Sequence, residues 1–219
     1  MVCKCVIFDM DGLMFDTERI VSVLHKEAAK EYGYIITDTM IENLLGGTKE
    51  KNSKYLLEQF GPNYPVEDVR KMLFKNKDAY IEKHGLPIKK GLVELLQYLQ
   101  ENNILIAVAS SSSYDTIISY LTMSDTAQYI NYIISGDRVK NSKPDPEIFL
   151  NVCTHFSISP RDALVLEDSR NGIMAAVNGD IPVICIPDLI DHPKNIKELT
   201  YKTLPSLLNV IEVLDIQRC

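Results

Sequence analysis

No stretch of this chain reaches roughly 18 consecutive uncharged apolar residues, the length a membrane-spanning helix needs. No basic block occurs either: 23 Lys and Arg stand against 30 Asp and Glu, a net charge of −7. An acidic balance without a basic stripe argues against nucleic acid as a partner and leaves room for a local cationic pocket. Cysteine is sparse and odd in number, five in all, with no C-x-x-C pair. Neither a disulfide framework nor a zinc site is indicated, and a reducing compartment is expected. Cys3 and Cys5 lie two apart on one strand face, and Cys153 and Cys185 lie in apolar stretches. Met1 leads toward the first strand with no basic n-region and no long apolar h-region. Internal repeats and low-complexity tracts are lacking. The expectation is a cytoplasmic, monomeric protein with no membrane and no nucleic-acid partner.

What is present is an apolar content of 46% over 219 residues. A chain of this size buries roughly 70% of its unfolded surface, enough for one α/β domain or a domain carrying an insertion. The apolar run Cys5-Val6-Ile7-Phe8 shows no polar alternation, as expected of a parallel-sheet strand buried on both faces. It ends in Asp9-Met10-Asp11-Gly12-Leu13, and Asp16-Thr17-Glu18 follows at once. Ligands of parallel sheets gather at the carboxyl ends of the strands. Two carboxylates about 4 Å apart repel by roughly 4 kcal/mol at an effective dielectric near 20. Such a pair is neutralised by a cation or by sharing a proton, which points to a metal, an acid/base role, or both.

Further along, strand and helix signals alternate. Leu92, Leu95, Leu96 and Leu99 stand at helical spacing, and residues 104–109 read as a buried strand ending in Ser110-Ser111-Ser112-Ser113. Residues 132–135, 163–166 and 183–186 are further strands. Asp145 as N-cap and Pro146 as first helical residue open a helix running to about His155. Residues 171–178 form a small-residue helix and residues 205–214 the closing one. Strands separated by helices imply right-handed crossovers and a Rossmann-like, doubly wound parallel sheet. Residues 16–86 break this rhythm, with apolar residues at helical spacing and no convincing buried strand. They read as a helical insertion, giving a core of residues 1–15 and 87–219 with junctions near Phe15 and Leu86.

Four strand ends carry polar clusters: Asp9 with Asp11, the Ser110 run, Lys143, and Glu167-Asp168. Taken singly, turn capping, a flexible loop and an N-cap at Asp168 or Ser169 explain three of them. Lys143 is different, since proline and capping chemistry account for Asp145 and Pro146 but not for a lysine beside them. In a parallel sheet all four share one edge, where a carboxylate nucleophile, a second carboxylate, a hydroxyl, an ammonium and an acidic pair compose a phosphoryl-transfer site. A free Asp titrates near 3.9, so an ionised Asp9 attacking an anionic phosphoryl group requires cations. Mg²⁺ prefers oxygen ligands. The Asp9 carboxylate, a backbone carbonyl at Asp11 and the Asp168 carboxylate suit it, with Glu167 behind or next to these ligands rather than on the ion. Lys143 and the Ser110 hydroxyl would hold phosphate oxygens, helped by N–H groups near Met10, Asp11 and Ser111.

These segments carry a specific resemblance. Phe8-Asp9-Met10-Asp11-Gly12-Leu13 with Asp16-Thr17-Glu18 resembles the first motif of the haloacid dehalogenase superfamily of phosphotransferases, and Val108-Ala109-Ser110-Ser111 the second. Lys143-Pro144-Asp145-Pro146 resembles the third, and Leu166-Glu167-Asp168-Ser169 with Asn171-Gly172 the fourth. The resemblance implies a Rossmann-like core with a helical cap over residues 16–86. It also implies Asp9 as the nucleophile forming an aspartyl-phosphate, Asp11 as general acid and base, Ser110, Ser111 and Lys143 as phosphate ligands, and Asp168 with Mg²⁺. Within the superfamily the chain is most similar to the group of β-phosphoglucomutase and small sugar-phosphate or nucleotide-like phosphatases, pseudouridine 5′-phosphatase among them. The mutase-like pattern places a histidine shortly after the Asp-Thr of the first motif, whereas Glu18-Arg19-Ile20-Val21 stands here. Asp-Thr-Glu looks more like the phosphatases. The turn Gly46-Gly47-Thr48-Lys49 resembles the cap's specificity loop, and a plain helix connection reads it equally well. The resulting expectation is a phosphatase acting on a small phosphorylated metabolite, with a sugar-phosphate mutase as the alternative. A phospho-acceptor receiver domain fits worse, because its acceptor sits on a middle strand and it needs no cap.

Overall fold

The computed structural model describes residues 3–216; residues 1, 2 and 217–219, the ends of the expected core, lie outside the described residues. β1 (Cys5–Phe8) is buried at every position. Four helices follow: α1 (Thr17–Glu31), α2 (Asp38–Leu44), α3 (Lys49–Phe60) and α4 (Val66–His84). Strand and helix then alternate through α5 (Leu92–Glu101), β2 (Leu105–Ser110), α6 (Tyr114–Met123), β3 (Tyr132–Ser135) and α7 (Glu147–Phe156). β4 (Ala163–Glu167), α8 (Arg170–Asn178), β5 (Val183–Cys185), α9 (Lys194–Lys197), β6 (Lys202–Thr203) and α10 (Leu208–Ile216) complete the chain. Among the described residues no helix is long and apolar enough to cross a membrane.

The strands form one six-stranded sheet in the order β3-β2-β1-β4-β5-β6, and every pairing is parallel. Ile7 faces Ala107 on one side and Val165 on the other. Side chains alternate across a strand. Cys5 and Ile7 accordingly enter a core shared with Phe149 and Val152 of α7 and Ile173 and Ala176 of α8. Val6 and Phe8, on the opposite face, are equally buried, and α5 packs against β2 and α10. This is the Rossmann-like α/β architecture that the apolar runs imply.

The chain forms two compact units, one running to Asp16 and resuming at Pro87, the other comprising Thr17–Leu86. Where the first unit is interrupted, its two chain ends are tied together. The Asp16 N–H donates to Pro87 O at 2.9 Å and the Lys89 N–H to Met14 O at 2.9 Å, with Phe15 opposite Ile88 in an antiparallel bridge. The second unit has its own core, in which Leu24, Ala28, Ile41, Leu56, Val69 and Leu73 are buried together.

The structure corrects some local expectations. The helix after Lys143 begins at Glu147 with Pro146 as its N-cap, so Asp145 does not cap it in the expected position. Its Oδ1 instead accepts the Glu147 N–H at 2.9 Å, an Asx turn one residue earlier. The closing helix is Leu208–Ile216 rather than residues 205–214, a shift of the size that fraying helix ends produce. β6 was not expected: its two residues, Lys202 and Thr203, are exposed and carry no apolar signal.

Candidate active site

Asp9 follows β1 directly, and its backbone N–H donates to Leu166 O at 3.1 Å, so the chain leaves β1 still tied to β4. Its carboxylate meets Lys143, whose Nζ donates to Asp9 Oδ1 at 2.5 Å, to Glu167 Oε1 at 2.8 Å and to Ala109 O at 3.1 Å. An ammonium has three donors, and all three are engaged here. Lys143 is 5% and Glu167 0% exposed, a burial that a charged pair tolerates only when well bonded. Burial alone would lower the Lys143 pKa, but the Asp9 and Glu167 carboxylates more than reverse it, and the ammonium stays charged. At Asp9 burial dominates. It pushes the carboxyl up to about 7 against the pull of Lys143, with Glu167 adding to the rise.

The turn from β4 into α8 supplies the acidic pair. Ser169 caps α8, its Oγ accepting the Gly172 N–H at 3.1 Å. The Ser169 N–H and hydroxyl both donate to Glu167 Oε2, at 2.8 and 2.9 Å. Both Glu167 oxygens are thus bonded. A Cβ on Gly172 would lie 1.6 Å from Glu167 Oε1, so only glycine admits the carboxylate at this point. The buried His192 ring meets the Asp168 backbone carbonyl, Nε2 to O at 2.5 Å.

Asp9, Glu167 and Asp168 each offer a carboxylate oxygen, all within 4.8 Å of one another. Hard oxygen donors of this kind suit a hard divalent cation. Gly12 adopts φ +87°, and a Cβ there would fall 2.2 Å from Asp168 Oδ2, so the space beside that oxygen exists because residue 12 has no side chain. The residues present fit a divalent metal ion. The Asp11 carboxylate does not belong to this group. Its Oδ2 accepts from the Ser112 hydroxyl at 2.7 Å.

Ser110 ends β2, paired with Ser135 of β3, and is 1% exposed. Its Oγ accepts the Ser112 N–H at 3.0 Å, whereas Ser111 is exposed. A single edge of the sheet therefore carries Asp9, Ser110, Glu167 and Asp168, with Lys143 reaching in from the connection after β3. Gly47, Thr48 and Lys49 belong to the helical unit. Thr48 caps α3 through the Lys51 N–H at 3.3 Å, and Lys49 Nζ lies 3.5 Å from Glu67 Oε2 with its side chain 60% exposed. Sequence reasoning assigned nothing to Ser112 or His192. A serine inside a serine run and a histidine beside a proline carry no spacing signal, and only the folded chain brings them to Asp11 and to Asp168.

The family model described as haloacid dehalogenase-like hydrolase matches residues 6–186. A phosphorylated carbohydrates phosphatase from Thermotoga maritima is 30% identical over 178 residues, covering 81% of this chain and 82% of that protein. A phosphoglycolate phosphatase from Nitrosospira multiformis is 25% identical over 96% of this chain and 95% of its own length. The crystal structure of a β-phosphoglucomutase from Clostridium difficile has the same fold, with a TM-score of 0.78 at 22% identity over 100% of this chain and 96% of that one. The match spans β1 to β5 and with them every carboxylate, serine and lysine of the sheet edge, and the chain belongs to the haloacid dehalogenase-like hydrolase family.

Proposed function

We propose that this chain is a Mg²⁺-dependent phosphatase that hydrolyses a small phosphomonoester, a sugar phosphate or a nucleotide-like one, through a phosphoryl group held transiently on Asp9. The observation that carries the reading is the buried Lys143 ammonium shared between Asp9 and Glu167 at the carboxyl edge of the sheet. Two relatives named as phosphatases of phosphorylated small molecules support it.

Asp9 Oδ attacks phosphorus; the bond from phosphorus to the leaving oxygen breaks, and Asp11 gives that oxygen its proton. Asp11, now a carboxylate, takes a proton from water; the water oxygen attacks phosphorus, the bond to Asp9 breaks and inorganic phosphate leaves. Asp9, Asp168 and the Asp11 backbone carbonyl would hold the metal, with Glu167 bracing Lys143 beside it. Bound Mg²⁺ would supply positive charge against the repulsion between the Asp9 carboxylate and the phosphoryl oxygens. Burial raises the Asp9 carboxyl, and added positive charge would favour its ionised form. Lys143 meets a phosphate oxygen by exchanging one of its three present acceptors, and Ser110, with the Ser111 N–H, completes the phosphate cradle. The helical unit Thr17–Leu86 acts as the cap, and Gly47, Thr48 and Lys49 read the leaving group.

Asp9→Asn keeps the shape and removes the nucleophile, so release of inorganic phosphate from a panel of sugar phosphates and nucleotides should fall to background while the fold persists. Chelation by EDTA should abolish activity and Mg²⁺ restore it. An active Asp9→Asn enzyme refutes the covalent route, and activity indifferent to EDTA refutes the metal. A product that is an isomeric sugar phosphate, with no free phosphate, establishes the mutase instead.

A further inference from the structure

Where β4 ends, the carbonyls of three consecutive residues are held by three different donors. Leu166 O accepts the Asp9 N–H at 3.1 Å and Glu167 O the Ile186 N–H at 2.8 Å, which carries the backbone pairing of the sheet to the end of β4 on both sides. The donor to Asp168 O is a side chain, the His192 ring, whose Nε2 lies 2.5 Å from the oxygen. A carbonyl oxygen only accepts, so this bond places a hydrogen on Nε2.

The same peptide unit is held at its other end, where the Ser169 N–H donates to Glu167 Oε2 at 2.8 Å. A peptide unit is a rigid plane. The plane before Asp168 is therefore set by Ile186 and the plane after it by His192 and Glu167, and the two together fix the direction of the Asp168 Cα–Cβ bond. The carboxylate has little room on the side of Gly12, where an added Cβ would lie 2.2 Å from Oδ2. His192 itself is 4% exposed, although it belongs to a loop. Pro193 restricts the residue before it to extended backbone and stands at the start of α9, whose Ile196 is buried in one core with Ile173 of α8. Across the same turn Asp191 Oδ1 meets Lys197 Nζ at 2.5 Å. The ring is thus carried by a segment anchored in the helical layer that also holds α8.

We propose that His192 is a positioning residue for the divalent cation: by donating from Nε2 to the Asp168 carbonyl it fixes the backbone from which the Asp168 carboxylate reaches the ion. This rests on the reading of Asp168 as a metal ligand. The role runs through the backbone and involves no proton transfer. Mg²⁺ demands near-octahedral ligands at about 2.1 Å, so a ligand displaced by a few tenths of an ångström binds it poorly. Groups that orient a metal ligand typically account for about 10- to 100-fold in affinity.

The test is the dissociation constant for Mg²⁺, measured by isothermal titration of the full chain with magnesium chloride and no phosphate ester. His192→Leu, which keeps bulk and removes the donor, should weaken binding about 10- to 100-fold. His192→Gln sets an amide NH₂ at the reach of Nε2 and should restore the wild-type constant, whereas His192→Asn, whose amide falls at the reach of Nδ1, should not. Melting in EDTA reports the fold separately. A lower melting temperature with an unchanged Mg²⁺ constant in His192→Leu means that the ring serves only the packing of its loop, and overturns the proposal. If His192→Leu does not fold, the Gln and Asn variants decide: equal constants in the two overturn it. Asp168→Ala separates the two layers. If it abolishes Mg²⁺ binding and His192→Leu does not weaken it, the positioning role alone fails; if Asp168→Ala binds Mg²⁺ as the wild type does, the metal ligand lies elsewhere and both readings fall.

Discussion

Lys143 concentrates the residue-scale argument. Its neighbours Pro144, Asp145 and Pro146 are accounted for by turn and helix-start chemistry, which is why the lysine stood out in the sequence. Its environment did not. The ammonium is buried, touches two carboxylates and a backbone carbonyl, and lies 4.8 Å from the centre of the Phe149 ring. Removing the charge leaves Asp9 and Glu167 buried together without a counter-ion. Breaking a buried pair from one side typically costs about 3–5 kcal/mol. Lys143→Met should lower the unfolding free energy by about that much in chelator, as measured by urea denaturation, and Mg²⁺ should recover part of the loss. A variant as stable as the wild type in EDTA would show that one carboxyl takes up a proton at little cost.

At the scale of elements, the turn from β4 into α8 ties helix capping to the acidic cluster. Ser169 is an ordinary N-cap, and the same residue clamps Glu167 Oε2 twice. The glycine three residues on is the price of that arrangement. In a helix interior Ala is favoured over Gly by about 1 kcal/mol, so Gly172→Ala should stabilise if propensity decided the outcome. Here the added Cβ would strike Glu167 at 1.6 Å, and the carboxylate must move off Lys143. The expected result is a lower melting temperature together with reduced phosphatase activity. A higher melting temperature with full activity would show that Glu167 shifts freely. In the second motif the strand and its serine end were legible from the apolar run, whereas the Ser112 contact depends on β1 lying beside β2.

At the scale of the molecule, each unit buries its own apolar residues, and acid should unsettle the helical one in a defined way. Burial, helped by the charge of Arg70, holds His25 down at about 4 against an ordinary value of 6.5. The unfolded chain therefore takes up a proton before the folded one does. The stability that neutral His25 contributes is complete above about 6.5 and is lost as pH falls toward 4. His25→Asn removes the titrating group, so the stability gap between wild type and variant should narrow between pH 7 and pH 4.5. Urea denaturation at the two pH values measures it, and a gap that stays constant would show that His25 titrates normally.

The sequence alone was enough for the α/β class, for the buried strands and for which polar residues end them. Those features are local: an apolar run without alternation marks a strand covered on both faces, and residues at its carboxyl end fall on the ligand edge of any parallel sheet. The order of the strands is not local. β1 pairs with β2 and β4, about 100 and 160 positions away, through backbone bonds that any strand can make. Only the packing of the two helical layers selects those neighbours. That choice sets Asp9 between Ala109 and Glu167, engages every donor of Lys143, hands Asp11 to Ser112, and adds the exposed β6 strand. Side-chain partnerships of this kind are decided by which ends become adjacent in three dimensions.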